Sequence, residues 1–222
     1  MNSEVVGGLP FNIYRSDCPN KKGGGVCVLA NASFDVRVCK HTKTLKADVL
    51  SIEVLSLDSI SHVQFILVYR PPNSLKCDDE GLIELLSDLA SMNDHIVILG
   101  DFNLQIDWIS FKTTNSASHH FLKFFSDSGS TQNVNLPTCA KNLLDIVLTT
   151  VPLTSAVKQL PPLASSDHAV LQFEIPLYTS TLLLPAPDFL AADFSSLNQY
   201  FSDVNWLNLF DQYTSCSDVY YM

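Results

Sequence analysis

The stretch His95-Ile96-Val97-Ile98-Leu99-Gly100-Asp101-Phe102-Asn103 decides the reading of this chain. Five residues rich in β-branched side chains predict a short strand buried on both faces. The strand ends abruptly in a Gly-Asp-Phe-Asn turn, so polar groups stand at its C-terminal end, where ligands of layered α/β sheets commonly bind. Upstream, Asp78-Asp79-Glu80 precedes Leu82, Leu85, Leu86, Leu89 and Met92. Acid at the start with i, i+3, i+4, i+7 spacing predicts an amphipathic helix. Before it, Asp48–Leu57 and His62–Tyr69 are apolar runs separated by Asp58-Ser59-Ile60-Ser61, a hairpin pattern stopped by Arg70-Pro71-Pro72.

Further out, Gly23-Gly24-Gly25 gives way to Val26–Ala30, a strand after a tight turn. Residues 117–128, with Phe121, Leu122, Phe124 and Phe125, predict a second helix. Leu143–Thr149 and His168–Ile175 predict strands, and Ala156–Ser166 a loop with strand character. Alternating strands and helices flanked by hairpins favour a mixed α/β layered protein. From Pro176 the character changes. Pro185-Ala186-Pro187 reads as linker, and Phe194, Leu197 and Phe201 share one helical face, followed by Trp206, Leu209 and Phe210. The expected organisation is a domain over 1–175, a linker over 176–192 and an acidic helical tail over 193–222.

The chain has 222 residues, 46% hydrophobic, with a formal net charge of −10. That is ample for a packed core and excludes wholesale disorder. No apolar run approaches the ~18 residues of a membrane span, and the N-terminus lacks the basic start and apolar core of a signal peptide. Residues 1–77 carry nine Lys/Arg against six Asp/Glu, 78–174 four against twelve, and 175–222 none against five. Bulk electrostatic binding of nucleic acid needs a basic surface, so any such contact is local. Clustered carboxylates in the middle section suit a divalent cation. The six cysteines (Cys18, Cys27, Cys39, Cys77, Cys139, Cys216) are scattered without zinc spacing. No thiolate metal framework is expected, and the thiols are expected to be reduced.

Tyr69-Arg70-Pro71 and Gly100-Asp101-Phe102-Asn103 follow strands, and Ser165-Ser166-Asp167-His168 precedes one. Asp145 sits inside an apolar strand, where a carboxylate needs a partner; His168 is the best candidate. The residues alone leave bland alternatives open. Gly-Asp is a common turn, Asp167 can cap a loop, Asp145 can face water on an edge strand, and Tyr69 can simply pack. His41, His62, His95, His119 and His120 show no catalytic spacing. The glycine run lacks a following Gly-Lys-Ser/Thr, and no GxSxG elbow is present.

In this order and these strand contexts, the motifs resemble the endonuclease/exonuclease/phosphatase superfamily. The closer likeness is to the apurinic-type endonuclease domain of non-LTR (LINE-type) retrotransposon polyproteins. The segments are KKGGGVCVLA (21–30), VYRPPNS (68–74), ILGDFNLQID (98–107), LPTCAKNLLDIVLT (136–149) and SSDHAVLQFEI (165–175). The tail resembles the stretch linking such an endonuclease to its reverse transcriptase, although no reverse-transcriptase motif is present. The resemblance implies a four-layer α/β sandwich of two mixed sheets, lacking its first strands, that hydrolyses a DNA phosphodiester with Mg²⁺. It implies that Asp101 orients or deprotonates the attacking water, that Asn103 hydrogen-bonds the scissile phosphate and helps hold that water, and that Tyr69 donates to a phosphate oxygen. His168 contacts the phosphate with Asp145 behind it, Asp167 lies on the metal side, and Thr138 and Ser166 support the site. It implies a nuclear place of action, although no import-type basic cluster stands out.

The family's first strand ends in Asn and its second in a metal-binding Glu, both upstream of the glycine run. Glu4 is the only acid before Asp17, and Asn2 and Asn12 follow no strand. The expectation is an N-terminally truncated domain with weakly bound Mg²⁺ and impaired activity. The alternatives are a non-catalytic remnant or protein-interaction module using its acidic tail, and a phosphatase acting on lipid or inositol phosphates. The YRPP and GGGV segments stand against the phosphatase.

Overall fold

The computed structural model describes residues 10–16, 24–39, 46–55, 62–108, 110–113, 115–175 and 194–203. The chain divides into two compact units, Met1–Thr181 and Leu182–Met222. In the first, strands β1 (Phe11–Ser16), β2 (Val26–Asn31), β3 (Asp35–Cys39), β4 (Asp48–Leu55) and β5 (His62–Tyr69) come in succession. Helix α1 (Lys76–Ala90), β6 (Ile96–Asp101), β7 (Ile106–Asp107), β8 (Lys112–Thr113) and α2 (Ser116–Asp127) follow. Then come β9 (Thr131–Gln132), β10 (Asp145–Thr149), β11 (Lys158–Leu160) and β12 (Val170–Gln172). The second unit holds α3 (Phe194–Asp203), within which Gln199 donates to the Asp203 carboxylate at 3.1 Å.

A six-stranded mixed sheet in the order β3-β4-β5-β6-β10-β9 organises the first unit. Its one parallel pair is β5–β6, with Tyr69 opposite Asp101; α1 is the crossover that parallel strands require. Alternation along β6 sends Ile96 and Ile98 to one face and Val97 and Leu99 to the other. On the first face Ile66, Val68, Ile146 and Leu148 pack beneath Leu82, Leu86 and Leu89 of α1 and Phe121 and Phe125 of α2. On the second face Val63, Val97 and Val151 meet Phe65, Leu99, Phe173 and Ile175. The β1–β2 hairpin lies against β4 and β5.

The mixed α/β architecture, both expected helices and the β4–β5 antiparallel pair are present. Met92 lies beyond the end of α1 and is exposed. Among the described residues the strands outside the six-stranded sheet form three separate antiparallel pairs, β1–β2, β7–β8 and β11–β12, where a second mixed sheet was expected. β1, which contains Asn12, was not expected from the sequence; its residues are exposed or half-buried and form no apolar run. β3, an exposed edge strand, was equally faint. The strand expected over His168–Ile175 is only Val170–Gln172, because Phe173 and Ile175 leave the ladder to cover the sheet. The linker over 176–192, Trp206, Leu209 and Phe210, and Asn2 and Glu4 lie outside the described residues.

Gly100 is where the backbone tolerates no side chain. Its φ is +140°, and a Cβ there would sit 1.9 Å from the carbonyl oxygen of Val68 on the neighbouring strand. Gly100→Ala therefore combines left-handed strain with a backbone clash. It should cost about 3 kcal/mol or more in denaturant unfolding, and a loss within experimental error of zero would refute the close approach.

Candidate active site

The site forms on one cross-strand row at one end of the six-stranded sheet. Asp48 pairs with Tyr69, Tyr69 with Asp101, and Asp101 with Asp145. Alternation places all four on the face of Leu99, away from the helices. The Asp48 carboxylate is buried and accepts from the Gly25 amide at 2.7 Å, which ties the glycine run to the sheet.

After Asp101 the chain reverses through Asn103, whose φ is +49°. Asp101 Oδ1 accepts the Asn103 amide at 3.0 Å, and Oδ2 accepts Asn103 Nδ2 at 2.9 Å. Nδ2 also donates to the Arg70 carbonyl at 3.0 Å. Both Asn103 side-chain hydrogens are thus engaged within the protein, so in this conformation only Oδ1 remains for a water or ligand. Phe102 anchors the turn, fully buried edge-on against Phe121 and Phe125.

Beneath the turn lies an ion pair that sequence reasoning missed. Arg70 and Asp79, 4% and 3% exposed, form a bidentate bridge of 2.7 and 3.0 Å. Arg70 Nη1 also donates to the Phe102 and Asn103 carbonyls at 3.1 and 3.3 Å. The guanidinium lies 5.8 Å above the Phe121 ring. Sequence offered Arg70 only as part of a strand stop and Asp79 only as helix-start acid. The signal was an Arg nine residues before that acid, and it does not announce burial.

From the other side, His168 Nδ1 meets Asp145 Oδ2 at 2.8 Å. The loop carrying His168 is held by the Ala169 amide donating to the Thr138 carbonyl at 2.8 Å, and by the His168 amide donating to Ser166 Oγ at 3.1 Å. Thr138, 3% exposed, accepts the Leu144 and Asp145 amides on Oγ1 at 3.1 and 3.0 Å, fixing the start of β10. Asp167 is exposed and accepts from the Cys139 thiol at 3.6 Å. Asp101, Asn103, Tyr69, Asp145, His168, Thr138, Ser166 and Asp167 are therefore gathered at one end of the sheet.

Burial, and then the charge of Asp145, raise the Asp101 pKa above the ordinary carboxylate value. For His168, burial is the largest influence and lowers the pKa. The Asp145 hydrogen bond and charge, with Asp101 and Asp167 adding, outweigh it, so the net shift is upward. Hard oxygen donors suit Mg²⁺, which needs only one or two carboxylates with water and substrate oxygens. Asp101 and Asp145 already accept hydrogen bonds from Asn103 and His168, which leaves Asp167 as the most available carboxylate. The donors fit Mg²⁺ as a loosely held ion.

The opposing influences on His168 give a sharp sign. In Asp145→Asn the raising hydrogen bond and charge weaken while burial persists, so the His168 pKa should fall toward or below its ordinary 6.5. An NMR titration of the imidazole Cε1–Hε1 resonance measures this; an unmoved midpoint would show that Asp145 does not set it.

Residues 63–172 match the family described as endonuclease-reverse transcriptase. No curated protein sequence matches the chain. Among solved structures, the endonuclease domain of TRAS1, a telomere-specific non-LTR retrotransposon, superposes with a TM-score of 0.62 at 16% identity, covering 78% of this chain and 82% of that one. A Neisseria 3′ phosphatase, NExo, bound to product DNA hairpin gives 0.57 at 15% identity, covering 79% and 83%. The Neisseria meningitidis 3′-5′ exonuclease NExo gives 0.55 at 16%, covering 78% and 83%. The matched segment, the shared fold and the motif residues gathered at one sheet end make the chain similar to the endonuclease/exonuclease/phosphatase superfamily.

Proposed function

We propose that this chain is a DNA-nicking phosphodiester hydrolase of retrotransposon origin. The observation that carries the reading is the pairing of two units at one sheet end: Asp101 held by Asn103, and His168 held by Asp145. The matched endonuclease-reverse transcriptase family and the fold of the TRAS1 endonuclease domain support the retrotransposon branch.

Asp101 takes the proton of the attacking water. A carboxylate with a raised pKa is a stronger base than an ordinary one. Asn103 fixes the Asp101 oxygens and offers its own Oδ1 to the water. With Nδ1 on Asp145, His168 presents Nε2 to a phosphate oxygen, and its raised pKa enlarges the charged fraction at neutral pH. The charge that develops on phosphate needs such donors, and Tyr69, beside Asp101 in the row, supplies a hydroxyl. Asp167, with substrate oxygens and water, would hold Mg²⁺, which supplies Lewis-acid polarisation of the phosphoryl oxygen.

Relaxation of supercoiled plasmid, with Mg²⁺ titrated against EDTA, tests this. Nicking should require Mg²⁺ in excess of micromolar trace. It should fall about 100-fold or more in Asp101→Ala and in His168→Ala, with circular dichroism unchanged. A folded wild-type chain that leaves plasmid and phosphorylated hairpin DNA intact at every Mg²⁺ concentration overturns the reading. Release of 3′ phosphate without nicking would convert it to a phosphatase.

A further inference from the structure

The cysteines show no metal spacing along the chain, yet the fold brings Cys139 beside an acid and an imidazole 28 and 29 positions away. Cys139 and His168 are partners in an isolated antiparallel bridge. Ala169 donating to Thr138 braces the same two segments, so the backbone sets the side chains together before any ligand arrives. One sulfur, one carboxylate oxygen and one imidazole nitrogen from Cys139, Asp167 and His168 lie within 4.8 Å of one another.

We propose that Cys139, Asp167 and His168 form a binding site for a borderline-soft divalent cation of the Zn²⁺ type, with solvent as the fourth ligand. A thiolate, an imidazole and a carboxylate are a zinc set and not a magnesium set. Tetrahedral zinc with Zn–S of about 2.3 Å and Zn–O of about 2.1 Å implies an S···O edge of roughly 3.6 Å. The Cys139 Sγ–Asp167 Oδ2 separation is 3.6 Å. His168 is already oriented as metal-binding imidazoles are, with Nδ1 on a carboxylate, so that Nε2 is the nitrogen left for the ion. Binding exchanges the Cys139 thiol proton for the cation and releases that proton to solvent; nothing is oxidised or reduced.

The consequence for activity rests on the proposed function. An ion on His168 Nε2 removes the group that would meet the phosphate, so Zn²⁺ inhibits where Mg²⁺ activates. Cys139 is then the residue that makes the hydrolase sensitive to zinc.

Binding is read first without activity. The full chain, kept reduced with a non-thiol reductant, is titrated with Co²⁺ and then competed with Zn²⁺. Wild type should give a thiolate-to-cobalt charge-transfer band with the visible bands of a four-coordinate ion, and Zn²⁺ should shift the His168 imidazole resonance. Cys139→Ser should lose the band and weaken Zn²⁺ binding by about tenfold or more, since even outer-shell changes cost that much. A band that persists in Cys139→Ser, or no band in wild type, overturns the site whether or not the chain nicks DNA. In the nicking assay, the ratio of rates with and without Zn²⁺ should return to about one in Cys139→Ser. Zinc bound through Cys139 with no loss of nicking leaves the site standing and removes His168 from the chemistry.

Discussion

A guanidinium with almost no access to water must have its charge answered by protein, and in this molecule Arg70 is that group. Asp79 supplies the charge, while the Phe102 and Asn103 carbonyls take the remaining donors. The same side chain thereby joins the end of β5, the first turn of α1 and the reversal after β6. Breaking one partner of such a pair costs about 3–5 kcal/mol, a large part of the ~5–15 kcal/mol that keeps a domain folded. A well-packed apolar replacement can be as stable, so the pair's particular contribution is position. It fixes two carbonyls of the turn on which Asp101 and Asn103 stand, and a turn with φ of +49° at a non-glycine residue needs such a clamp.

With the turn fixed, the electrostatics of the site follow from who is partnered. Asp101 and Asp145 face each other in register, and the second of them is compensated by His168. Asp101 keeps only neutral donors, so burial and its neighbour's charge raise its pKa. A raised folded pKa means that stability from this group is fully present below its unfolded value of 3.8 and is lost as pH rises through the folded value. The raised His168 pKa has the same sign in a higher window, present below 6.5 and lost as pH climbs through the folded value. The fold thus favours the protonated form of both groups, the neutral acid at Asp101 and the cation at His168. That is an arrangement of lower stability and greater chemical use.

What was legible in sequence was what depends on neighbours along the chain. The buried strand before Gly100, the stripe of α1, the aromatic face of α2 and the Asp145–His168 relation could be read because each is carried by a local pattern or a strongly constrained residue. Strand order was not legible, because β10 joins β6 across more than forty residues and no local feature of β9 or β3 names its partner. β1 escaped because its residues are all exposed or half-buried, without the apolar run that marks a core strand. Asn103 was read as a phosphate- and water-binding amide, but its geometry depends on the Arg70 carbonyl, which only the parallel pairing brings near. Cys139 was read by spacing alone, whereas its neighbours come from a bridge between distant loops.

Register links these observations. Asp48, Tyr69, Asp101 and Asp145 share a face only because four strands agree on one pairing offset, and a slip of one residue in β6 would turn Asp101 toward the helices. The apolar pattern opposes that slip, since it would drive Val97 and Leu99 out of one core cluster and Ile96 and Ile98 out of the other. Gly100 opposes it independently. It is the one residue of β6 without a side chain, and it lies where the Val68 carbonyl leaves no room for one. A slip would bring Leu99 or Asp101 against that oxygen. The glycine that ends the strand is thus also the tooth that indexes it, and the residue after it is held on the face where the other site residues stand.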